Sequence, residues 1–112
     1  MIKVGDYIRC GSAGIREVTE VIKSPTDFSV KSVIDEKGLF IQIKYIQKYA
    51  NNLLDLIEVG DYVNDYKVIK ITPYTFTTIE QGGYKVHHKE CVTIKTILTK
   101  ERFESEKYEV GE

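Results

Sequence analysis

The sequence predicts an all-β chain with one minor helix, built as two consecutive small barrels, and three observations predict it. The pentapeptide Val4-Gly5-Asp6-Tyr7-Ile8 returns as Val59-Gly60-Asp61-Tyr62-Val63, an offset of 55 residues. Each copy is followed by short runs rich in β-branched and aromatic residues, separated by turns that contain Gly or Pro. A unit of about 50 residues holds four or five short strands, which suits a small barrel because closure removes exposed strand edges.

Taken in order, the opening Gly-Asp-Tyr has a local logic. Gly reaches φ > 0 to turn the chain into the first strand, Asp accepts from nearby backbone N–H groups, and Tyr begins the apolar face. This opening, followed by the Gly-containing turn Cys10-Gly11-Ser12-Ala13-Gly14, is shared with many SH3-like barrels. Next comes a β-branched strand, Arg16 to Ile22, echoed by Lys67 to Ile71. Ser24-Pro25-Thr26-Asp27-Phe28 pairs with Thr72-Pro73-Tyr74-Thr75-Phe76 at an offset of 48. Gly38-Leu39-Phe40-Ile41 pairs with Gly83-Tyr84-Lys85-Val86 at an offset of 45, so the length changes fall in turns, where insertions are tolerated. Tyr45 to Ile57 lacks strand alternation and reads as a helical turn plus connector. Thr99 to Ser105 reads as a short helix capped by Thr99, with Phe103 plugging one end of the second barrel. The expected division is a first SH3-like unit with its connector over 1–57 and a second with the helix over 58–112. Glu109-Val110-Gly111-Glu112 resembles Glu58-Val59-Gly60-Asp61 as a partial third copy.

The 112 residues are 42% apolar and 29% charged, which is ordinary for a folded globular domain. Sixteen Lys and Arg against seventeen Asp and Glu leave a net charge of −1, which excludes the broad basic field of a general nucleic-acid binder. Lys3, Asp6 and Arg9 break any apolar run at the start that could serve as a targeting segment, and no stretch approaches the ~20 apolar residues of a membrane span. Cys10 and Cys91 lie far apart without metal or redox spacing, so they are expected as reduced thiols in a bacterial cytoplasm.

At L-D-L-I-E-V-G-D-Y-V-N-D-Y-K-V (Leu54 to Val68) and I-L-T-K-E-R-F-E-S-E-K-Y-E-V (Ile97 to Val110), the chain resembles a group of small uncharacterised proteins of clostridia and related Gram-positive bacteria, many of them in phages or prophages. The resemblance covers the ends and the middle, and leaves Gly11 to Ala50 and Thr72 to Val92 unmatched. It carries no activity and no functional residue. What it implies is context, a phage or prophage accessory gene, of the kind that often blocks a bacterial defence system, as an anti-CRISPR does.

Four chemistries bear on these residues. His87, His88, Cys91 and Cys10 are zinc-type ligands, but adjacent strand residues point to opposite faces, so His87 and His88 do not share a site. No G-x-S-x-G, P-loop or H-E-x-x-H motif occurs, Gly82-Gly83 reads as a tight turn, and a non-enzyme without cofactor or metal is expected. The stretch from Tyr84 to Lys89 is locally basic and aromatic, which fits stacking on bases with lysines on phosphates. Glu58, Asp61, Asp65, Glu80 and Glu90 dilute that field. Protein binding fits the neutral charge best, because tyrosine is favoured at interfaces and SH3-like folds present aromatic grooves. The expected contact surface is Tyr66, Tyr74, Tyr84, Lys85, His87 and His88. Their first-unit counterparts, Thr26, Leu39, Phe40, Gln42 and Ile43, read as core or inter-unit packing. The expected partner is a bacterial protein, with a nucleotide or single-stranded nucleic acid as the alternative, no membrane, and a homo-oligomer through a free strand edge as a further option.

Overall fold

A computed structural model describes residues 1–106. It is mostly β, with two antiparallel five-stranded sheets and one short helix. The chain divides into Met1–Leu56 and Ile57–Glu112. The expected third copy at Val110 to Glu112 lies outside the described residues.

In the first unit, β1 (Tyr7–Arg9), β2 (Ile15–Lys23), β3 (Val30–Asp35), β4 (Phe40–Gln42) and β5 (Lys48–Ala50) form one sheet in the order β4-β3-β2-β1-β5. In the second, β6 (Tyr62–Val63), β7 (Tyr66–Ile71), β8 (Thr75–Glu80), β9 (Gly83–His88) and β10 (Ile97–Leu98) take the order β10-β6-β7-β8-β9. Both units are thus a four-strand meander whose fifth strand returns beside the first. Among the described residues neither sheet closes, because β4 does not pair with β5, nor β9 with β10. The closed barrel expected from sequence is corrected to an open sheet.

The repeated pentapeptide does the same work in both units. Gly5 and Gly60 have φ of 92° and 102°, and donate to Val18 O and Val68 O at 2.9 and 2.8 Å. One carboxylate oxygen of Asp6 accepts from Lys3 N at 3.0 Å, and one of Asp61 accepts from Glu58 N at 2.7 Å. Val18 N and Val68 N return the contact to Asp6 O and Asp61 O. Both aspartates are buried, where an acceptor must be satisfied by N–H groups rather than water. A bulge follows each valine, between Val18 and Glu20 and between Val68 and Lys70.

The first-unit core is Ile2, Ile8, Val18 and Val33, with Cys10, Val21, Val30, Ile41 and Ile46 packed against it. Arg9 is buried too, its Nη1 donating to Leu56 O at 3.0 Å. The second unit buries Ile57, Val63, Val68 and Phe76. Helix α1 (Lys100–Glu106) follows β10, and Thr99 Oγ1 accepts from Arg102 N at 3.2 Å, the cap its position predicts. Asp61 also accepts from Lys100 N at 2.9 Å, which ties the start of α1 to the β6 turn. With no cylinder to plug, Phe103 instead stacks on Tyr62, ring centroids 4.9 Å apart.

The pairing registers correct the correspondence between the two copies. Val21 pairs with Val33 and Val33 with Ile41; Ile71 pairs with Phe76 and Phe76 with His87. Val33 therefore matches Phe76 and Ile41 matches His87, an offset of 46 on the last strand where the sequence reading took 45. A slip of one residue exchanges the two faces of a strand. The Pro-x-x-Phe echo dissolves for the same reason, since Phe28 lies in a turn at φ 60° and is exposed, while Phe76 is core. The turn glycine matching Gly38 (φ 80°) is Gly82 (φ 81°), not Gly83.

Candidate functional site

The β8–β9 hairpin carries most of the residues singled out from sequence. Its ladder runs from Thr75 opposite His88 to Glu80 opposite Gly83, closed by the two-residue turn Gln81-Gly82. Strand alternation divides its side chains between two faces. Phe76 and Thr78 are buried and define the inner face, which Glu80, Lys85 and His87 share. Thr75, Thr77, Ile79, Tyr84, Val86 and His88 occupy the outer face.

The outer face is apolar at its centre. Ile79 and Tyr84 are directly opposed, and Val86 is the next outer residue along β9. Their exposures are 46%, 76% and 57%. Among the described residues β9 is also the last strand of its sheet. Antiparallel alternation sends the N–H and C=O groups of Gly83, Lys85 and His87 to β8, and those of Tyr84, Val86 and His88 outward. The bond from Lys89 N to Tyr74 O, 2.9 Å, continues that phase.

The inner face holds a compact polar cluster. Thr78 Oγ1 lies 2.8 Å from Glu80 Oε2 and 2.9 Å from His87 Nε2, and His87 Nε2 lies 3.0 Å from Glu80 Oε2. A carboxylate only accepts, so the proton sits on His87 Nε2 and the Thr78 hydroxyl donates to Glu80. The Thr78 hydrogen bond, aided by that of His87, holds the Glu80 carboxyl below its usual range. The His87 ring stacks on Phe76 at 4.8 Å, in the place where the first unit has Ile41. His87 is thereby a packed, hydrogen-bonded residue of the inner face rather than part of an outer contact surface.

The six predicted residues do not form one patch. Tyr84 and His88 share the outer face, while Lys85 and His87 face inward. Tyr74, 78% exposed, sits on the β7–β8 turn at the His88 end of the hairpin. Tyr66 pairs with Val63 on β6, two strands from β9. Ile79 and Val86 were missed, although the alternation of Tyr84, Val86 and His88 was the signal that places Val86 beside Tyr84. The first-unit counterparts are also corrected: Leu39, Phe40 and Ile43 are exposed rather than core, as are Thr26 and Gln42. Leu39, Phe40, Gln42 and Ile43 rest on a register one residue out.

Among the described residues no three His, Cys, Asp or Glu side chains come together as a metal site. No described helix is long and apolar enough to cross a membrane. Cys10 and Cys91 are free thiols, Cys91 exposed and Cys10 half-buried, with burial raising the Cys10 thiol to about 11. Comparison with protein-family models, with curated proteins and with solved structures gave no match, so residue chemistry alone carries the functional reading.

Proposed function

We propose that the chain is a non-enzymatic binding protein of two SH3-like units that acts by occupying the surface of a protein partner, with the outer face and free edge of β8–β9 as the contact. The common strand order of the two sheets supports the SH3-like reading. One observation carries the binding reading: Ile79, Tyr84 and Val86 lie exposed together on the outermost strand pair of the second unit. A cluster of large apolar side chains beside an open strand edge is the chemistry of strand addition, in which a partner strand takes the outward amides and its side chains cover the apolar face. Tyrosine supplies contact area at low entropic cost.

The accessory-gene context implied by the resemblance makes the partner a bacterial cytoplasmic protein, such as a defence component, inhibited by occlusion. Nucleotide or single-strand binding on this same surface is the rival. It is disfavoured because Lys85, the lysine next to Tyr84 along β9, projects to the opposite face.

The test is capture of partners by the tagged protein from a clostridial lysate, compared with Tyr84→Ala/Val86→Lys. Loss of a stoichiometric protein with an unchanged thermal midpoint supports the contact. A large fall in the midpoint makes these residues structural and removes it. Bound nucleic acid, released steeply between low and moderate salt, replaces it with the rival. Self-association lost in the same variant assigns the edge to a homo-oligomer.

A further inference from the structure

The first unit carries two adjoining clefts. One, of about 410 Å³, is bordered by Cys10, Phe40, Ile41 and Tyr45. The other, of about 270 Å³, is bordered by Lys31, Ser32, Ile43 and Lys44. Phe40 and Gln42 line both and so form their shared wall. No carboxylate borders either cleft.

Three features give the pair a chemical character. The first cleft has two exposed aromatic walls, Phe40 at 59% and Tyr45 at 62%. The second has two ammonium groups and a hydroxyl. Ser32 is 2% exposed and borders the second cleft. Lys44 Nζ lies 5.1 Å from the centre of the Tyr45 ring, so the cation and the aromatic face are already within reach of one ligand.

The clefts arise where the two copies diverge. The β1–β2 connection is the loop Cys10 to Gly14, whereas β6 and β7 are joined by Asn64-Asp65 alone, both at positive φ. The positions of Phe40 and Ile41 are taken in the second unit by Val86 and His87. The second unit therefore lacks both the loop wall and the aromatic wall.

We infer that this paired cleft binds a heterocyclic base bearing a phosphate, the ring against Phe40 and Tyr45 and the phosphate at Lys31, Lys44 and the Ser32 hydroxyl. Flat π-faces stack on any base, and lysines meet phosphate as point charges. Two sources share this chemistry, a free nucleotide and a nucleotide within a single strand. The inference is independent of the contact proposed for β8–β9.

The test titrates the full chain with adenosine 5′-monophosphate, adenosine and a short oligoadenylate, read by amide chemical shifts. Shifts centred on Lys31, Ser32 and Phe40 to Tyr45 are expected. Tyr45→Ala is expected to weaken binding about tenfold. Lys31→Ala/Lys44→Ala is expected to weaken it comparably and to flatten its salt dependence. Tyr84→Ala on the second unit leaves it unchanged. Binding of the monophosphate supports the free ligand, and binding of the oligoadenylate alone supports the strand. No saturation by either, shifts centred elsewhere, or affinity unmoved by the first-unit variants overturns the site. Adenosine binding as tightly as its monophosphate removes the phosphate half.

Discussion

Replacing Asp61 by Asn, compared with the same change at Asp6, tests what the repeated Gly-Asp-Tyr contributes in each unit. Asp61 is fully buried and accepts from two backbone donors, Glu58 N at 2.7 Å and Lys100 N at 2.9 Å, one on each oxygen. An Asn side chain has one oxygen, so it serves one of these N–H groups and turns its own NH₂ toward the other. The loss is a charge-assisted hydrogen bond, about 1.5–3 kcal/mol, together with part of the penalty for an unpaired buried donor, so Asp61→Asn is expected to destabilise by roughly 2–4 kcal/mol. Among the described residues the Asp6 carboxylate accepts from Lys3 N alone, and an amide oxygen keeps that bond. Asp6→Asn is expected to cost about 1 kcal/mol, the difference between a charged and a neutral acceptor. Urea unfolding followed by tyrosine emission suits a chain without tryptophan. Amide exchange at Lys100 reports α1 directly, and first-unit amides serve as the internal reference. Equal costs at the two positions, or no change in Lys100 exchange, would refute the idea that the second aspartate couples the β6 turn to the helix.

Two further outcomes follow from the titrating groups. Burial raises Cys10 to about 11, so at pH 8 it stays a thiol, and iodoacetamide is expected to label exposed Cys91 at least about tenfold faster until urea equalises them; faster labelling of Cys10 would contradict its place in the structure. The depressed Glu80 carboxyl contributes stability that is present above its unfolded value, about 4.3, and is lost as pH falls through its lower folded value. Hairpin amides such as Lys85 are therefore expected to open more readily at low pH, and Glu80→Gln is expected to flatten that dependence; an unchanged acid slope would remove Glu80 from the account.

Much of the fold was legible because its signals are local. Gly5 and Gly60 mark turns that need positive φ, the β-branched runs at Arg16–Ile22 and Lys67–Ile71 mark strands, and Thr99 marks a helix start. Each depends on residues within a few positions, so a chain read in order displays it. The site was legible only in part. That His87 and His88 point to opposite faces follows from period two on a strand. Which of the two faces outward depends on what β9 lies against, and that is set across the ladder by Phe76 and Thr78.

By itself, then, the sequence determined that two β units follow one another, each opened by the same turn, because turn chemistry and β propensity are properties of neighbouring residues. Only the tertiary structure decided the register between the copies, since Val21 pairs with Val33, 12 residues on, and Ile71 with Phe76, 5 residues on, with a register shift between Ile22 and Lys23 in the first hairpin. Turn length is neutral locally, yet one residue of slip carries every following side chain to the other face. It is that register that puts His87 over Phe76, leaves Tyr84 and Val86 to solvent, and exposes Phe40 at the wall of a cleft.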